Sequence, residues 1–152
     1  MERIRILKKF EPKRENLLLL LHALQKNNRQ NYLTEEDLES AGRYLSLPPS
    51  LVHGAATFYS MYSLKPRGQY IVRICQSPPC HQMGSSDLIE EASRALGVGV
   101  GETTPDGLFT LETSECLGIC AVAPAMTVNE EVHGNLTAER VRAIFSEKRR
   151  AK

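Results

Sequence analysis

The sequence predicts an α+β protein in two parts: an N-terminal bundle of three to four helices over residues 1–66 and an α/β domain over residues 67–152. Two observations support this division. Residues 12–66 carry leucines at helical spacing and several helix-start signals. After a helix-breaking cluster at 65–68, short β-rich runs alternate with helical ones, as in a layered α/β domain.

The first predicted helix covers residues 12–27. Its apolar stripe consists of Leu17, Leu20, Leu21 and Leu24. Leu18 and Leu19 widen the apolar surface beyond one face, which predicts contacts on two sides of the helix.

Two more helices follow in the first part. Thr34 is a good N-cap residue, and the acidic run at 35–37 suits the positive end of a helix dipole. The next helix begins at Pro48-Pro49, where a missing N–H costs little, and continues to Phe58.

The second part is predicted to have the element order β-α-β-β-β-α. The predicted elements are a strand at 70–74 that ends at Cys75, a helix at 85–96 stopped by Gly97, a strand at 108–113, a hairpin of 125–128 and 131–133, and a helix capped by Thr137. Residues 146–152 are expected to form a basic, frayed tail.

Composition excludes several classes of protein. With 41% apolar and 24% charged residues and a net charge of +1, the 152-residue chain is expected to be globular and not to bind nucleic acid. No apolar run approaches the ~18–20 residues of a membrane span, and the start of the sequence shows no secretory signal. We therefore expect a cytoplasmic protein, in which clustered cysteines more often serve metal or redox chemistry than disulfides.

All four cysteines lie in the second part, as Cys75-x₄-Cys80 and Cys116-x₃-Cys120. Each pair follows a predicted strand, so both loops open at the same sheet edge if the two strands are parallel neighbours. Two thiolates per iron on a rigid sheet would suit a [2Fe–2S] cluster, for which Cys₄ ligation is normal.

The spacing alone leaves alternatives open. A structural Cys₄ zinc site is the strongest of them, although zinc sites usually use C-x₂₋₄-C hooks and the four-residue gap between Cys75 and Cys80 is at the loose end of that range. Disulfides or unrelated buried cysteines come next. His81 could ligate iron as in Rieske centres, but with four cysteines available a packing or hydrogen-bonding role is favoured.

Several sequence blocks in a fixed order resemble a known family. They are Gly54-Ala-Ala-Thr57-Phe58-Tyr59, Pro66-Arg67-Gly68, Cys75-x₄-Cys80-His81, Gly101 to Leu111, Glu115-Cys116-Leu-Gly118-x-Cys120-x-x-Ala123-Pro124, and Gly134-Asn135-Leu136-Thr137. With these blocks the chain resembles the thioredoxin-like [2Fe–2S] subunit of NADH:quinone oxidoreductase (complex I) and of NAD-linked or electron-bifurcating hydrogenases and formate dehydrogenases.

The resemblance implies a helical bundle followed by a thioredoxin-like domain with one [2Fe–2S] cluster on Cys75, Cys80, Cys116 and Cys120. It also implies an electron-transfer role beside a partner subunit that binds flavin (FMN) and NAD, with a further iron–sulfur subunit in the same complex. The chain itself lacks a phosphate-binding glycine loop after a strand, so it is not expected to bind either nucleotide or to be catalytic alone. The alternative reading is a zinc-stabilised interaction module without a redox role.

Overall fold

The computed structural model describes residues 2–151, which divide at Arg67–Gly68 into two compact units. The helices of the first unit are α1 (Glu2–Leu7), α2 (Leu17–Asn27), α3 (Glu35–Leu45) and α4 (Pro49–Phe58), with a 3₁₀ turn at Arg14–Asn16 before α2. Helix α1 was not predicted. The helix expected from residue 12 begins at Leu17, because the Asn16 side chain donates to the Glu11 carbonyl at 2.9 Å and holds a turn there.

The predicted leucine stripe forms the centre of the first unit. Leu20 and Leu21 are fully buried, and they pack with residues of α3 and α4 such as Ala41 and Val52. Leu18 is half-buried against this core, whereas Leu19 is 61% exposed. Within this unit, the predicted packing beyond the main stripe of α2 is therefore confirmed for Leu18. The same prediction is wrong for Leu19, whose side chain is exposed.

Helix α3 begins as predicted. The Asp37 N–H donates to Thr34 Oγ1 at 3.1 Å, and the Thr34 N–H donates to Asp37 Oδ2 at 3.0 Å, which completes a capping box. Arg3 Nε donates to Asp37 Oδ1 at 2.6 Å, so this carboxylate also ties α1 to the start of α3.

The second unit consists of strands and helices in the predicted β-α-β-β-β-α order, with two short additions. Its elements are β1 (Tyr70–Cys75), α5 (Pro78–Gln82), α6 (Ser85–Leu96), β2 (Phe109–Ser114), a 3₁₀ turn at Cys120–Val122, β3 (Met126–Val128), β4 (Glu131–His133) and α7 (Ala138–Arg150). The sheet order is β2-β1-β3-β4; β1 pairs parallel with β2 and antiparallel with β3, and the predicted hairpin of β3 and β4 is confirmed.

The sheet and the helices α6 and α7 share one apolar core. Phe109 and Leu111 of β2 are fully buried in it, together with Ala92 of α6 and Val141 of α7. Gly97 ends α6 in the left-handed conformation (φ +72°), as the sequence predicted. Among residues 2–151, no helix is long and apolar enough to cross a membrane.

The expected frayed tail is wrong as far as Arg150, because α7 continues to that residue. Lys148 Nζ bonds both carboxylate oxygens of Glu131 at 2.7 Å and lies 5.6 Å from the centre of the Tyr70 ring. These contacts hold the last turns of α7 against the sheet. Lys152, the end of the predicted tail, lies outside the described residues.

Candidate metal centre

The four cysteines are brought together by two neighbouring strands. β1 ends at Cys75, and its parallel partner β2 ends at Ser114, with these two residues in register. Cys80 follows in α5, Cys116 lies just beyond β2, and Cys120 opens the 3₁₀ turn. Because parallel strands end at the same sheet edge, the two cysteine loops meet there, as the sequence predicted.

One pair of thiols is buried. Cys75 and Cys80 are each 2% exposed and pack against Ala125. Burial raises the pKa of the Cys75 thiol, but bonds from the Ser77 N–H, the Cys80 thiol, the Leu117 N–H and the Ser77 hydroxyl lower it by more. Burial and then the bond to Cys75 raise the pKa of Cys80. The buried pair therefore favours a thiolate at Cys75.

The other pair is exposed. The Sγ atoms of Cys116 and Cys120 lie 3.7 Å apart, and the Gly118 N–H donates to Cys116 Sγ at 3.3 Å. Gly118 adopts a φ of +76°, which a side chain would disfavour, and this conformation aims its N–H at the sulfur. The bond to Cys116 and then the charge of Cys116 raise the pKa of Cys120.

The donor set fits an iron–sulfur cluster. The Gly118 N–H donates to Cys116 Sγ, and the backbone N–H groups of Ser77 and Ala125 act to lower the pKa of the Cys75 and Cys80 thiols respectively. Such bonds favour the thiolate form that a metal ligand must take. The thiols form a buried pair and an exposed pair, which suits two irons with two thiolates each.

Of two residues close to the cysteines, the role of His81 was predicted from the sequence and that of Ser77 was not. His81 is exposed, and its Nδ1 lies 2.9 Å from Ser86 Oγ, which is the hydrogen-bonding role favoured from the sequence. The lowering of the Cys75 pKa by Ser77 was missed. Its available signal was a small polar residue between a candidate ligand and Pro78-Pro79, since a residue before proline is held extended.

A mixed four-stranded sheet that carries two thiol pairs at one edge is an arrangement that suits a small iron–sulfur protein. Comparison with known families gives the more particular result. The model of the thioredoxin-like [2Fe–2S] ferredoxin family matches residues 4–149, and the chain belongs to that family. The resemblance noted in the sequence is thus confirmed.

Curated relatives carry the names of subunits of larger enzymes. The chain is 36% identical over 144 residues to an NADH-quinone oxidoreductase subunit of Rickettsia felis, covering 93% of this chain and 86% of that one. It is 38% identical over 122 residues to the NADH-quinone oxidoreductase subunit of the same type from Aquifex aeolicus, covering 80% and 75%. It is 30% identical over 146 residues to the HndA subunit of the NADP-reducing hydrogenase of Solidesulfovibrio fructosivorans, covering 96% and 84%.

A solved structure shows the same fold. An NAD⁺-reducing [NiFe]-hydrogenase in the air-oxidised state superposes with a TM-score of 0.79 at 24% identity, over 90% of this chain and 23% of the hydrogenase chain. The expected thioredoxin-like α+β fold is confirmed. Membership of the family makes a [2Fe–2S] cluster the cofactor, in preference to zinc.

Proposed function

We propose that this chain is an electron-transfer subunit that holds one [2Fe–2S] cluster on Cys75, Cys80, Cys116 and Cys120. The observation that carries the proposal is that two pairs of cysteines lie at the same edge of the sheet. The family model supports it, because it matches the chain over residues 4–149. When bound, such a cluster supplies one-electron oxidation and reduction.

The two pairs of cysteines have different tasks in this proposal. Cys75 and Cys80 anchor the cluster inside the domain, where Ala125 and the end of β1 exclude water. Cys116 and Cys120 lie on an exposed loop, so their side of the site is the one that a partner can approach. Electrons would therefore enter and leave on the side of residues 116–120.

We further propose that the partner is a subunit that binds flavin and oxidises NADH or reduces NAD, and that a further iron–sulfur subunit belongs to the same complex. The names of the relatives support this assignment, because they denote subunits of NADH-quinone oxidoreductases and of a hydrogenase. The chain performs no bond chemistry of its own in this arrangement. A cytoplasmic location stays a prediction from the sequence.

An apolar surface on the first unit supports assembly with another protein. Phe58, at the end of α4, is 81% exposed, and its ring lies edge-on to Tyr59 at 5.0 Å between centroids. Met61 is 39% exposed in the following turn, whereas Tyr62 is buried and donates to the Leu18 carbonyl at 2.7 Å. Exposed aromatic and methionine side chains of this kind are enriched in protein interfaces.

The cluster assignment is tested on anaerobically purified protein. We expect visible absorption, a reduced-state EPR signal and about two irons per chain. Replacing any of the four cysteines by serine should abolish or alter both spectra, whereas the matched variant His81→Ala, next to Cys80, should keep them. A colourless protein with one zinc per chain would overturn the proposal in favour of a zinc-stabilised interaction module.

The partner assignment is tested by affinity purification of the tagged chain from its host. We expect a flavin-containing subunit to co-purify, and Phe58→Ala to reduce its yield. The matched control is Val100→Ala, because Val100 is apolar and 48% exposed but lies in the second unit. Recovery of the chain without flavin would refute this part of the proposal while leaving the cluster assignment intact.

A further inference from the structure

Ser114, the last residue of β2, has a buried hydroxyl without a hydrogen-bond partner. Its Oγ is closed off from solvent, and nothing in residues 2–151 donates to it or accepts from it. Buried hydroxyls in folded proteins are nearly always hydrogen-bonded, because an unpaired one has lost its bonds to water and gained none in exchange. The hydroxyl of Ser114 therefore indicates an acceptor that belongs close to the end of β2.

The neighbour of Ser114 in the sheet is the candidate ligand Cys75. The two residues are in register on the parallel strands β2 and β1. The Gln76 N–H donates to the Ser114 carbonyl at 2.9 Å, so the pairing continues past Cys75 and fixes the backbone of Ser114. Neighbouring strands lie about 4.8 Å apart, and side chains in register project to the same face of the sheet. The Ser114 hydroxyl and the Cys75 thiol are therefore adjacent.

The pair of residues two positions earlier shows which face this is. Arg73 and Glu112 are also in register, and Arg73 Nε donates to Glu112 Oε2 at 2.9 Å. Side chains alternate between the two faces along a strand, so Ser114 and Cys75 project to the face of this ion pair. Ile74 projects to the other face and is fully buried in the core that includes α6 and α7. The Ser114 hydroxyl thus lies on the side of the cysteine site and not in that core.

We propose that Ser114 is a further cofactor-binding residue, whose hydroxyl donates a hydrogen bond to a sulfur atom of the bound cluster and thereby raises its reduction potential. A sulfur acceptor beside Cys75 supplies the partner that this buried hydroxyl otherwise lacks. The inference rests on the cluster ligation proposed above. It goes beyond that ligation, because it assigns a role in setting the potential to a residue that is not a ligand.

The direction of the effect follows from charge. Reduction adds an electron to the cluster and makes its sulfur atoms more negative, so a hydrogen bond donated to them stabilises the reduced state more than the oxidised state. Removing the Ser114 hydroxyl should therefore lower the reduction potential. Because such a substitution changes no charge, the shift should persist at about 1 M salt, where the effects of exposed charges are screened.

The test is an EPR-monitored redox titration of the anaerobically purified protein with its cluster. The decisive pair of variants is Ser114→Thr and Ser114→Val, because threonine and valine are both β-branched and of similar size, and only threonine carries a hydroxyl. We expect Ser114→Thr to keep the wild-type potential. We expect Ser114→Val and Ser114→Ala to shift the reduction equilibrium about three- to tenfold toward the oxidised form, where tenfold is 59 mV for one electron.

The matched control is Thr113→Val, which removes a hydroxyl from the preceding residue of β2. Thr113 is in register with Ile74 and therefore projects to the opposite face of the sheet. This variant should leave the potential unchanged. Equal potentials for Ser114→Thr and Ser114→Val would overturn the inference, and so would a potential of Ser114→Ala at or above that of the wild type.

Pulsed EPR of the reduced cluster detects the hydroxyl proton itself, because spectra in H₂O and D₂O distinguish exchangeable protons near the cluster. We expect Ser114→Ala to lack one exchangeable-proton coupling that the wild type shows. This comparison decides the question if a branched side chain at position 114 prevents cluster loading. An unchanged set of couplings in Ser114→Ala would contradict the proposed bond. A wild-type protein without a [2Fe–2S] spectrum would instead refute the ligation proposed above.

Discussion

Replacing Gly134 by alanine is expected to loosen the loop that carries Cys120. A Cβ at Gly134 would lie 2.5 Å from both Cβ and Cγ2 of Val122 and 2.8 Å from the Val122 carbonyl oxygen. Val122 ends the 3₁₀ turn that Cys120 opens. The added methyl group therefore presses directly on the turn that positions one candidate ligand.

The surrounding hydrogen bonds restrict how far the two segments can move apart to relieve this clash. The Asn135 N–H donates to the Val122 carbonyl at 2.7 Å, and the Leu136 N–H donates to the Pro124 carbonyl at 3.2 Å. These bonds hold the two segments together, yet the clash must open by roughly 1 Å to reach the ~3.5 Å of an ordinary carbon–carbon contact. Overpacking of this kind costs about 1–3 kcal/mol.

The assay is bleaching of the visible cluster absorption by an iron chelator. If bleaching requires the loop to open, a strain of about 1–3 kcal/mol accelerates it by roughly five- to 150-fold. The matched control is Gly54→Ala, because a Cβ there meets nothing within 4 Å and the residue lies in the other unit. Equal bleaching rates for Gly134→Ala, Gly54→Ala and the wild type would refute the reasoning.

Three further predictions concern stability, each read from urea or thermal unfolding. Thr34→Ala should cost about 1–2 kcal/mol, since it breaks the capping box with Asp37, and more than Thr137→Ala, which removes a single cap bond; equal losses would contradict this. Phe109→Ala should cost about 3–5 kcal/mol because the ring is fully buried, and a loss below about 1 kcal/mol would argue against that core. Burial lowers the pKa of His133, so the unfolded chain takes up its proton first; stability should fall as the pH drops below about 6.5, and His133→Gln should flatten the fall. An unchanged pH profile in that variant would show that His133 is not responsible.

The elements of the fold were largely readable from local sequence. Thr34, Pro49 and Gly97 act through their own backbone and nearest neighbours, so each marks a helix end without reference to the rest of the chain. Helix α1 was missed because its six residues are too few for a helical period to stand out, and Arg3 holds it through Asp37, 34 residues away. The helical end of α7 was missed because it is also held by residues distant in sequence: Lys148 contacts Glu131 and Tyr70, which lie on the sheet.

The sequence by itself determined the two-part fold class, the four cysteines as candidates and, through their ordered surroundings, the family. Only the tertiary structure decided that the thiols divide into a buried and an exposed pair, that Ser77 bonds Glu115 between the two cysteine loops, and that Gly134 must be glycine to admit Val122. The physical reason is distance along the chain. Caps, breakers and periodicity are local, whereas a hydrogen bond across 38 residues exists only once parallel strands have brought both loops to one edge of the sheet.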